Sequence, residues 1–62
     1  MIKKIIILDF ETGEIYTSSY NSKAFKDEIE DFLSEFNAEF GLNLRATNCQ
    51  WMIVNKLKIN IL

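Results

Sequence analysis

Sixty-two residues and 7.3 kDa make a single domain over 1–62. A chain that is 48% hydrophobic, with nine isoleucines, is excluded from the disordered class. One cysteine and no histidine exclude an internal disulfide, a histidine-built metal site and the commonest general base, and two glycines leave no phosphate-cradling loop. The net charge of −2 is segregated: residues 9–39 hold all nine carboxylates with only Lys23 and Lys26, while Lys3, Lys4, Arg45, Lys56 and Lys58 stand outside them.

Residues 2–10 are β-branched and apolar, which predicts a strand. Ile6, Leu8 and Phe10 fall on one of its faces and Ile5 and Ile7 on the other, the pattern of a central strand covered on both sides. Residues 11–14 read as a turn in which Gly13 supplies positive φ, and residues 14–20 as a second strand, so the first unit is a β-hairpin. Asn21 or Ser22 can cap the helix that follows. Across 22–40, Phe25, Ile29, Phe32, Leu33, Phe36 and Phe40 occupy an arc of about 100°, the stripe of a helix packed on a core. Gly41 follows, where a left-handed residue commonly ends a helix.

Residues 42–47 alternate weakly and predict a third strand. Residues 51–54 and 57–61 are apolar, with Leu57, Ile59 and Ile61 alternating against Lys58 and Asn60. They form either one bent strand or a hairpin across Asn55-Lys56.

The expected architecture is an α+β domain of ββαββ type, with one amphipathic helix on a three- or four-stranded antiparallel sheet. A core this small supplies only about 3–5 kcal/mol of net stability, so dense packing or a partner must add to it. One helix covers one sheet face. The reading places Ile5, Ile7 and some of Tyr16, Tyr20, Met52 and Val54 on the uncovered side, as a contact surface for a partner or a second copy.

The string Ile7-Leu8-Asp9-Phe10-Glu11-Thr12-Gly13 resembles the first motif of DnaQ-like 3′–5′ exonucleases, in which Asp and Glu hold catalytic metal ions. Two-metal hydrolysis needs further carboxylates to clamp both oxygens, and here Asp27 and Asp31 sit on the helix, so Asp9 and Glu11 read as a strand end opening a turn. No catalytic, metal or cofactor site is expected, and the chain is read as a non-enzyme. On the helix, Asp27, Glu28, Asp31, Glu35 and Glu39 share one flank and can imitate a phosphate row that docks on the basic groove of a nucleic-acid enzyme. The competing reading is a solvated helix face.

Arg45, Lys56 and Lys58 near Trp51, joined by Lys3 and Lys4 if the end strands pair, give the alternative of a small dimeric nucleic-acid-associated regulator. The acidic pI of about 4.9 argues against direct nucleic-acid binding. Cys49, a lone thiol, reads as structural and fits a reducing, cytoplasmic compartment. The first apolar run stops at Asp9, too short for a signal peptide or a membrane span.

Taken together, Lys4-Ile5-Ile6-Ile7-Leu8-Asp9-Phe10 with Thr12-Gly13-Glu14, Glu30-Asp31-Phe32-Leu33, and Asn48-Cys49-Gln50-Trp51-Met52-Ile53-Val54 resemble a group of very short uncharacterised proteins encoded on phages and mobile elements of gut bacteria. The resemblance implies genomic company in which small non-enzymatic proteins inhibit or adapt a host enzyme, anti-CRISPRs among them. The expectation is a protein-binding module that masks a host protein, through the acidic helix flank and the uncovered sheet face.

Overall fold

The computed structural model describes residues 2–25 and 28–62. The isoleucine-rich run that opens the chain becomes β1 (Ile2–Asp9) and turns through residues 10–13 into β2 (Glu14–Asn21). Two helical segments follow, α1 (Ser22–Phe25) and α2 (Ile29–Phe40). A loop and a short 3₁₀ turn (Ala46–Asn48) then lead into β3 (Cys49–Val54). The sheet is antiparallel in the order β2-β1-β3, so the most apolar strand is central, as its doubly apolar pattern predicts. The fold is α+β with three strands among the described residues.

Three expectations are corrected. The helix predicted over 22–40 is interrupted, because Glu28 is extended (φ −89°, ψ 94°) and caps α2. Its N–H closes a tight turn on the Phe25 carbonyl at 2.8 Å. Residues 42–47 form no strand, because Asn37 ties them to the helix. Residues 57–62 also form no strand: after the bend at Asn55-Lys56 the chain runs on irregularly, with Leu57 half-buried and Ile59 and Ile61 exposed. Period-two alternation therefore occurs there without a paired edge.

Local chemistry sets each boundary. The Asn21 side chain accepts the N–H groups of Lys23 and Ala24, capping α1. At the far end of α2, Gly41 takes φ +66° and the Asn37 carbonyl accepts the N–H of both Gly41 and Leu42, a left-handed cap that satisfies that carbonyl. The Asn37 amide also acts as a surrogate strand. Its Nδ2 donates to the Leu44 carbonyl at 2.9 Å and its Oδ1 accepts the Leu44 N–H at 3.0 Å. This pins the loop so that Leu44 enters the core.

The core lies between α2 and one sheet face. Ile5, Ile7 and Tyr20 are almost fully buried beneath Phe32, Leu33 and Phe36, with Leu44 and Cys49 closing one side. The aromatic rings form a continuous chain. Tyr20 meets Phe25 and Phe32 at centroid separations of 5.6 and 5.1 Å, Phe32 stacks on Phe36 at 5.3 Å, and Phe36 meets Tyr16 edge-on at 6.4 Å.

Asn37→Ala removes both partners of a buried residue's backbone. It should cost about 2 kcal/mol and lower the melting temperature by on the order of 10 °C. Thermal unfolding followed by circular dichroism checks this, and an unchanged midpoint contradicts it.

Candidate partner-binding surface

Strand register sorts every sheet residue onto one of two faces. Ile7 lies opposite Tyr16 and Trp51, and Ile5 opposite Ser18 and Ile53, all on the helix side. Ile6 lies opposite Thr17 and Met52, Leu8 opposite Ile15 and Gln50, and Lys4 opposite Ser19 and Val54, all on the other side. Among the described residues no helix covers that second face, though Asn55, Lys56 and Leu57 share a depression there with Lys4, Thr17 and Ser19. Ile2 and Ile15 are each 61% exposed there, Met52 51% and Leu8 37%, while Ile6 and Val54 are half-buried.

The sequence reading groups Ile5, Ile7, Tyr16 and Tyr20 on one face correctly but assigns that face to solvent. The structure inverts the assignment. Ile5, Ile7 and Tyr20 are core and Tyr16 is half-buried against it, because the two tyrosines on that side match the aromatic stripe of the helix. Met52 and Val54, which the same reading offers for that face, lie on the open one by their register with Ile6 and Lys4. The four core-side residues therefore offer little contact area. The open surface belongs to Ile2, Ile6, Leu8, Ile15 and Met52, four of which the site reading missed. The signal was present in the four-residue turn, which sets Asp9 opposite Glu14 and so aligns Ile15 with Leu8.

The acidic flank is partly assembled. Asp31, Glu35 and Glu39 recur every fourth residue along α2 and are exposed, so they form one row. Glu28 is exposed at the extended cap position, and Asp27 lies outside the described residues. Glu35 and Glu39 border a shallow groove shared with Phe32 and Phe36 of α2 and Ser18 and Ser19 on the outer strand.

The Asp9–Glu11 pair builds a turn. Asp9 is buried; its Oδ1 accepts the Glu11 N–H at 3.0 Å and its Oδ2 accepts the Thr12 hydroxyl at 3.0 Å. The Thr12 Oγ1 in turn accepts the Glu14 N–H at 3.3 Å. The Asp9 carbonyl accepts the N–H of Gly13, whose φ of +75° closes the loop. Glu11 points elsewhere and accepts from the Asn48 amide at 3.3 Å. Among the described residues, no three His, Cys, Asp or Glu side chains converge where they could hold a metal ion.

The cations separate. Pairing of β1 with β3 brings Lys4 and Lys56 to one shallow depression with Ser19, whereas Arg45 lines another beside Asp9 and Glu11. Trp51 lies on the helix side of the sheet and Lys4 on the other, so these two do not share a surface. Among the described residues no helix is long and apolar enough to cross a membrane. Comparison with protein-family models, curated proteins and solved structures yields no match.

Burial pushes the Cys49 thiol above its ordinary pKa, and the Tyr16 phenol is raised chiefly because its OH donates to Glu14 Oε2 at 2.7 Å. Both neutral forms are favoured by the fold. The stability they contribute is complete below the ordinary thiol range and is lost as pH rises through the elevated values. Denaturant midpoints should fall progressively on the alkaline side of that range. At neutral pH, Cys49 should react with a disulfide reagent about a hundredfold more slowly folded than unfolded, since reaction requires opening. Equal rates contradict the buried placement.

Proposed function

We propose that this chain is a small non-enzymatic protein-binding module that masks a surface on a larger protein. The observation that supports this reading is the uncovered sheet face, where Ile2, Leu8, Ile15 and Met52 form an exposed apolar patch. Patches of this kind on small proteins mark contact surfaces. The Asp31–Glu35–Glu39 row supplies charge that steers approach to a basic partner, speeding encounter more than it deepens affinity. In the setting that the resemblance implies, the partner belongs to the host of a phage or mobile element. Blockade of a defence enzyme with a basic nucleic-acid groove is then the most concrete form of the activity.

The test is capture of host proteins by the tagged chain, compared with two variants. Ile15→Lys with Met52→Lys should abolish capture. Asp31→Lys with Glu35→Lys should weaken it by roughly tenfold or more through slower association. Undiminished capture by both variants overturns the reading.

A further inference from the structure

β2 is an outer strand, and its free side is unguarded. In the order β2-β1-β3 only β1 pairs with it, so the backbone groups along its outer side have no strand partner among the described residues. All eight residues of β2 pair with β1 in unbroken register, so no bulge turns the edge away. Residues 15–20 contain no charged residue and no proline, the usual means of blunting an exposed edge.

An acidic groove runs beside this edge. Ser18 and Ser19 form one wall. Phe32, Glu35, Phe36 and Glu39, which share one stripe of α2, form the other. Ser18 lies on the helix side of the sheet between Tyr16 and Tyr20, and its small side chain leaves room that a third ring would fill. Two exposed carboxylates and no cation line the groove.

We propose that the β2 edge takes an extended peptide segment of the partner protein as a fourth strand, with lysine or arginine at alternate positions lying over the groove. The proposal rests on reading this chain as a protein-binding module, and it names the chemistry of what is bound. Residues of an added strand alternate between the two faces, so every second one stands beside Tyr16 and Ser18 and looks onto α2. A basic side chain there lays its methylene stem along the margins of Phe32 and Phe36 and brings its charge to Glu35 or Glu39. These two carboxylates are four residues apart on the helix, a rise of about 6 Å. Alternate residues of a strand are about 6.6 Å apart, so two successive basic side chains meet one carboxylate each. Main-chain hydrogen bonds then supply affinity, and the carboxylates select the charge pattern. Residues 57–62 of this chain carry a single cation, Lys58, and lack that pattern.

The test is titration of the full chain at low salt with a nine-residue threonine peptide that carries three lysines at every second position, followed by backbone amide signals. Binding with a Kd on the order of 0.1 mM or tighter is expected, with shifts centred on residues 15–20 and slowed exchange of the outward amides of β2. The same three lysines at every third position should bind several-fold more weakly. Glu35→Gln with Glu39→Gln should weaken the first peptide by about tenfold. In that peptide the lysine amides and the threonine amides between them point to opposite sides, so one set faces β2. Loss of binding on N-methylation of one set alone supports the added strand. Survival with both sets methylated in turn, or equal loss with both, overturns it. No binding at about 1 mM peptide also overturns the proposal. So do outward β2 amides that already exchange slowly in the unbound chain, because its own residues 57–62 or a second copy then hold the edge. If the peptide fails while Asp31→Lys with Glu35→Lys still weakens host-protein capture, the binding-module reading stands and the added strand is rejected.

Discussion

One helix cannot cover both faces of a three-stranded sheet, and in this chain both faces are apolar. The rest of the structure depends on which face the helix takes. Tyr16 and Tyr20 decide it, because they project to the side of Ile5 and Ile7 and their rings continue the aromatic stripe of Phe25, Phe32 and Phe36. Edge-to-face and tilted ring contacts each add about 0.5–1.5 kcal/mol beyond the area they bury, a large share of the stability a chain this short can reach. The opposite face, with Ile15 as the apolar member of β2 and Thr17 and Ser19 beside it, offers the helix no such partners.

That choice determines the surface chemistry. The covered face takes in the bulky aromatic groups and the thiol of Cys49, and Asn37 draws the following loop over the margin of the core. The uncovered face keeps Ile2, Ile6, Leu8, Ile15 and Met52. Glu35 and Glu39 of the acidic row share a groove with Ile2, Ser18 and Ser19, so the electrostatic surface adjoins the apolar one at the edge of the sheet.

Much of the fold was legible from residue pattern. The doubly apolar 2–10 segment predicted a central strand, the turn at Gly13 a hairpin, and Gly41 the end of the helix, and each is present. The misses share a cause. Side-chain amides and carboxylates that substitute for backbone partners leave no periodic trace. Asn37 makes a loop of residues that alternate like a strand, and the extended Glu28 breaks a stripe that looks continuous. The site was half legible. Period two sorted Ile5, Ile7, Tyr16 and Tyr20 together, but which face the helix covers is a tertiary matter, settled by ring-to-ring fit across segments distant in sequence. The acidic row was visible at its four-residue spacing, and Asp31, Glu35 and Glu39 realise it.

The central claim is that aromatic matching buries the Ile5–Ile7 face and leaves Ile15 and Met52 exposed on the other. Attenuation of side-chain methyl signals by a soluble paramagnetic probe measures this most directly. The account predicts that Ile5 and Ile7 are protected at every protein concentration. Ile15 and Met52 should be strongly attenuated in dilute solution. Attenuation of Ile5 and Ile7 equal to that of Ile15 and Met52 in dilute solution would contradict it.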